Sequence, residues 1–106
     1  MSNVTNIGSH PRWIEAQIRE LGRQLQKVSY SMNINDLVSA REVSMRAIWD
    51  CIEEGEVVRE HIHHEANGVY AKLRCHTGGD FVELDVLLPS GEDRLEVLYA
   101  TAHEGL

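Results

Sequence analysis

The chain has 106 residues, of which 42% are hydrophobic and 25% charged, and its net charge is −7. That length bounds it to one domain with one modest core. No apolar run approaches the length of a membrane-spanning helix. The acid excess argues against recognition of nucleic acid through bulk charge, because Lys and Arg contacts to phosphate supply most of such affinity.

The first ten residues, MSNVTNIGSH, have neither a basic start nor an apolar block. They do not read as a secretory leader, so the expectation is a cytoplasmic chain with a flexible segment over 1–10. Cys51 and Cys75 fit that compartment as reduced core thiols. The charge is unevenly placed. Residues 1–28 carry +2 and the remainder −9. An acidic body of this kind keeps a small protein soluble and also suits docking on a basic protein surface.

Ser9-His10-Pro11 predicts a helix start, and the helix is expected over 11–28. Ile14, Ile18, Leu21, Leu25 and Val28 make one apolar stripe, with Arg12, Arg19, Arg23 and Lys27 on the opposite side. The stripe is expected to pack on the chain's own sheet or helices. Its heptad spacing leaves a homodimer seam through 14–28 as the alternative. Gly22 lies inside this helix, where glycine costs about 1 kcal/mol relative to alanine.

Ser31, Asn33 or Asn35 can cap a short helix ending near Ala40, and Ser44 can cap the next. Ala47, Ile48, Cys51 and Ile52 share a face of that helix, and Gly55 ends it. From Glu56 the period changes to two. Val58 and Ile62 are expected on one face, with Arg59, His61 and His63 on the other. Asn67-Gly68 marks a turn. In the next strand Val69, Ala71, Leu73 and Cys75 alternate with polar residues. After a turn at Gly78-Gly79, Val82, Leu84, Val86 and Leu88 do the same. Pro89-Ser90-Gly91 turns again, and the last strand should place Leu95, Val97 and Tyr99 inward. If Gly78-Gly79 is a two-residue turn, Lys72 lies opposite Asp85 and Arg74 opposite Glu83, as stabilising cross-strand pairs. Helices first and strands after predict an α+β fold, with N-terminal helices packed on a four-stranded antiparallel β-meander.

The stretch Ser31–Ser44 resembles the opening motif of a family of small, mostly uncharacterised bacterial domains. That motif can be written S-x-H-A-x-x-R-M-x-x-R-x-I-S, followed by a helix, G-E-V/I and a four-stranded meander. Ser31, Arg41 and Ser44 match it, Val43 stands for the isoleucine, and Gly55-Glu56-Val57 matches the entry to the first strand. The resemblance covers residues 31–102. The family is distantly similar to RelE- and BrnT-type toxins, which are small α+β nucleases, so the resemblance implies a toxin-like core and the context of toxin–antitoxin pairs. Two positions depart from the motif. Asn33 stands where the family has histidine, and Leu37 where it has the first arginine. An amide cannot replace a titrating imidazole in acid–base work.

Glu60-His61-Ile62-His63-His64-Glu65 is the densest group of ligand-type residues. His61 and His63 would share a strand face, and His76, Glu83, His10 or His103 would have to complete a metal site. No established metal spacing is present, so His61, His63 and His76 are held only as candidates; surface histidines are the plainer reading, and the same imidazoles could give pH sensitivity near pH 6. No glycine-rich phosphate loop or nucleophile elbow occurs, and no cofactor is implied. Three functions remain: a non-catalytic binding or regulatory module that meets a protein partner through its acidic surface; a toxin-like ribonuclease using Arg41, His61, Lys72 and Arg74; or a phage-type inhibitor mimicking nucleic-acid charge.

Overall fold

The computed structural model describes residues 10–77 and 79–104. The flexible segment expected over 1–10 lies, apart from His10, outside the described residues, as do Ser9 and Gly78. Helix α1 spans Pro11–Gly22, and His10 caps it, its Nδ1 accepting from the Arg12 N–H at 3.2 Å. A 3₁₀ turn follows at Leu25–Lys27, then strand β1, Val28–Tyr30. Helix α2 is Met32–Ser39 and α3 is Met45–Glu54. The remaining strands are β2 (Glu56–Val57), β3 (His63–Glu65), β4 (Gly68–Thr77), β5 (Asp80–Pro89) and β6 (Leu95–Glu104). Among the described residues the fold is α+β, with three helices and a mixed sheet of six strands in the order β1-β6-β5-β4-β2, and β3 also pairs with β4. No helix is long and apolar enough to cross a membrane among the described residues.

The four-stranded antiparallel meander is corrected in three places. First, β4, β5 and β6 form the expected meander, but β1 adds to β6 in parallel, with Val28 opposite Leu95 and Tyr30 opposite Val97. This pairing ends the helical run early. The helix expected to reach Val28 stops at Gly22, because Val28 must be extended to bond β6.

Second, the strand expected from Glu56 is two short strands. From Val57 to His63 the chain advances six residues while β4 advances only from Leu73 back to Tyr70. The surplus is taken up by a 3₁₀ turn at Arg59–His61. Val57, not Val58, is therefore the core residue, because it lies opposite the inward Leu73. Third, β5 and β6 slip register between Asp85 and Val86, so Leu98 is an extra residue in β6. Beyond a bulge the alternation changes phase. Tyr99, expected inward, points out and is 43% exposed, while Ala100 takes the inward place.

The helices and the inward residues of the strands build one core. Ile14, Ile18 and Leu21 of α1, Ile34 of α2 and Ile48, Cys51 and Ile52 of α3 meet Leu73, Val82, Leu84, Val86, Leu95 and Val97. The α1 stripe is thus buried within its own chain. Leu25, on the 3₁₀ turn, is 73% exposed and takes no part in the core. Ser44 caps α3 as expected, accepting from the Ala47 N–H at 3.0 Å, and Gly55 ends it. Ser31, not Asn33 or Asn35, holds the N-cap position of α2, and both asparagines lie inside the helix.

Gly22 has a packing reason. A Cβ there would stand 2.4 Å from Cγ2 of the buried Ile52, so the missing side chain lets α1 close on α3. Gly22→Ala should destabilise the fold by about 1–3 kcal/mol despite alanine's better helix propensity. Ile52→Val should not rescue it, because valine keeps the clashing methyl, whereas Ile52→Ala should reduce the penalty of the glycine change. Urea denaturation of the single and double variants measures both effects.

Candidate functional site

The helices cover one face of the sheet. The other face is open, and the register sets out its residues in rows. Tyr99 lies opposite Asp85, which lies opposite Lys72. Next come Thr101, Glu83, Arg74 and Glu56, then His103, Phe81 and His76. Lys72 Nζ sits 3.0 Å from Asp85 Oδ1, and Arg74 Nε donates to Glu83 Oε2 at 2.8 Å. Both pairs are those expected from the two-residue turn. His76 and Phe81 tilt together with ring centroids 5.0 Å apart.

A concavity of about 400 Å³ opens over the first of these rows. It is lined by His61, His63, Tyr70, Lys72, Asp85 and Tyr99, with Asn33 at its rim and Ala71, Val86 and Leu98 beneath. The 3₁₀ turn supplies His61, and β3 supplies His63 opposite Tyr70. The Tyr70 hydroxyl accepts from Asn67 Nδ2 at 2.8 Å, which fixes the phenol at the turn end of the hairpin. The arrangement offers imidazoles that can accept or donate a proton, two phenols, and one ammonium already neutralised by a carboxylate.

The sequence candidates separate into three places. His61, His63 and Lys72 share the concavity. Arg74 and His76 line a neighbouring one of about 370 Å³, together with Glu54, Glu56, Cys75 and Phe81. Arg41 lines neither. His76 is therefore apart from His61 and His63, and among the described residues no group of three His, Cys, Asp or Glu could hold a metal ion. Tyr70, Tyr99 and Asn33 were not among the candidates. The signal for Tyr99 was the pair of small inward residues Ala100 and Ala102, which only fit Leu95 and Val97 if the alternation slips.

Arg41 has a backbone role. Its φ is +61°, the left-handed region that favours glycine. Its N–H donates to the Val38 carbonyl at 3.0 Å and the Glu42 N–H to the Leu37 carbonyl at 3.0 Å, the Schellman pattern that closes α2. No ion pair joins Arg41 to Glu42 or Glu56 among the described residues. Cys51 and Cys75 are free thiols, and burial pushes both up from the ordinary thiol range.

The Arg74 hydrogen bond, reinforced by the charge of Lys72, holds the Glu83 carboxyl below the usual glutamate range, against a smaller opposing effect of burial. A depressed carboxyl stabilises the fold above its unfolded value near ~4.3, and that contribution is lost as pH falls through the folded value. Arg74→Met should cost about 0.5–1 kcal/mol at pH 7, since the pair is partly exposed, and progressively less as pH falls through the folded value of Glu83. Urea denaturation across an acid pH series, with a carboxyl NMR titration of Glu83, checks the sign. Arg41→Gly should raise stability by about 0.5–1 kcal/mol, read as an upward shift of the thermal midpoint, because glycine adopts the left-handed conformation without strain.

No protein-family model, curated protein or solved structure matches this chain.

Proposed function

We propose that this chain is a non-catalytic binding module, on a scaffold similar to RelE- and BrnT-type toxins, that meets a protein partner through its acidic surface. The observation that carries the reading is the state of the two cations on the open face. A nuclease needs cations available to the charge that develops on phosphate. Here Lys72 is held by Asp85 and Arg74 by Glu83, across paired strands. Arg41 closes a helix away from both. The three motif matches likewise carry backbone roles: Ser31 starts α2, Arg41 ends it and Ser44 caps α3.

The acids fare differently. Glu54 at the end of α3 and Glu56, Glu60 and Glu65 along the β2–β3 edge, with Arg59 among them, are exposed, and these acids form no ion pair among the described residues. An acidic edge attracts a basic protein surface and speeds encounter with it. The same charges discourage strand-to-strand aggregation.

A second reading, a toxin-like ribonuclease, is favoured by the convergence of His61, His63 and Lys72 with Tyr70 and Tyr99 in one concavity.

One experiment separates the two. Purified protein is incubated with RNA across pH 5–8, and in parallel its partners are captured by crosslinking. The binding module leaves RNA intact, and the combined Glu54→Lys, Glu60→Lys, Glu65→Lys variant recovers the basic partner at least tenfold less well, whereas Lys72→Met retains it. RNA cleavage that disappears in Lys72→Ala or His61→Ala overturns the first reading in favour of the second.

A further inference from the structure

On the helix side, away from the open face, a groove of about 180 Å³ runs between the end of α1, β1 and α3. Its apolar lining is Leu25, Val28, Tyr30, Trp49 and Ile52. The Trp49 Nε1–H donates to the Tyr30 hydroxyl at 3.1 Å, so the indole has its polar demand met and stands as a fixed wall. Leu25 and Trp49 remain 73% and 49% exposed. Neither is needed by the core, and uncovered large apolar side chains lining one concavity mark a binding surface.

The rim supplies the chemistry. Arg19 is committed: its Nε donates to the Glu53 carbonyl at 2.8 Å and its Nη2 to the Gly55 carbonyl at 3.2 Å. Arg23 is exposed, and no hydrogen bond or ion pair engages its guanidinium among the described residues. Arg19 and Arg23 line this mouth with Glu53, and Glu15 pairs with Arg19 at 3.8 Å, so Arg23 supplies the cation left open to a ligand. A guanidinium with its donors unengaged, at the mouth of an apolar groove, matches a carboxylate by charge and by its two-pronged geometry.

We propose that the groove binds a small amphipathic monocarboxylate, its hydrocarbon body between Leu25 and Trp49 over Ile52 and its carboxylate on Arg23. The volume sets the size class. It lies below the ~300–1,000 Å³ of pockets for drug-sized ligands, so the occupant is a short alkyl or single-ring acid rather than a peptide segment. The site is independent of the open sheet face and of any partner bound there.

Calorimetric titration of the full chain with octanoate, octanol and octylamine tests the assignment. Octanoate should bind saturably at one site, with octanol and octylamine at least tenfold weaker. Arg23→Gln should weaken octanoate about tenfold and leave octanol unchanged, and Leu25→Ser should weaken both. These two side chains are on the surface, so the thermal midpoint of each variant should match the parent and separate lost binding from lost folding. Absence of saturable octanoate binding overturns the proposal, as does equal affinity for octanol or an unchanged affinity in Arg23→Gln. Binding that appears only after deletion of residues 2–9 also overturns it, because the groove then belongs to the chain's own N-terminal segment.

Discussion

Ser31 holds two successive carbonyls of β6: its N–H donates to Val97 O at 3.0 Å and its hydroxyl to Leu98 O at 2.6 Å. That double attachment sits where β6 slips against β5 and where the parallel pairing with β1 gives way to α2. Leu98 is the surplus residue of the slip, so Ser31 satisfies a carbonyl at the point where the ladder is disturbed. Three features follow from this junction. The strand β1 ends, α2 begins at a fixed position over the end of β6, and the alternation beyond Leu98 runs in the opposite phase. Tyr99 is turned into the open concavity by that change of phase, and Asn33 is carried to its rim by the start of α2. A single serine thus links the helix layer, the sheet register and the candidate site.

The sheet is one-sided in its chemistry as well as its packing. Its inner face is aliphatic and dry, and its outer face is a lattice of opposed charges and aromatic rings. Cross-strand pairing of Lys72 with Asp85 and of Arg74 with Glu83 does for the outer face what interdigitating side chains do for the inner one. Each pair contributes little alone, since both are partly in water. Together they remove bare positive charge from the surface where a phosphate-handling enzyme would need it. Glu56, Glu60 and Glu65 on the β2–β3 edge belong to the acids left without an ion pair among the described residues.

The parts of this fold legible in the sequence were those decided locally. Val82, Leu84 and Val86 alternate cleanly, Ser44 and Gly55 bracket α3, and the tight turn before Asp80 sets the register of β4 on β5. The parts that were not legible depend on partners far along the chain. Val28-Ser29-Tyr30 is too short to display a two-residue period, and it is a strand only because β6 offers an edge. The 3₁₀ turn at Arg59–His61 leaves the alternation around it looking continuous. For the site, His61, His63 and Lys72 were visible as chemistry, but their shared concavity needed the turn that brings His61 back over β4. Tyr99 was hidden by the bulge, because Leu95, Val97 and Tyr99 read as one continuous alternation unless Ala100 and Ala102 are taken as the inward pair. Gly22 stood out as a glycine in a helix, and only Ile52 explains it.

The parallel pairing of β1 with β6 also orders events in time. Val28 meets Leu95, and Ser31 meets Leu98 across 67 residues of sequence. Contacts of such long sequence separation form slowly, because loop closure must precede any gain from pairing. The meander of β4, β5 and β6 closes through tight turns and can assemble first. During folding, then, α1 can close on α3 and β2, where Gly22 meets Ile52 and Glu15 accepts from the Val57 N–H, while β1 must wait for β6. Closing Val28–Tyr30 and Ser31 onto β6 is thus the step that completes the sheet, and it joins the N-terminal third of the chain to its last strand.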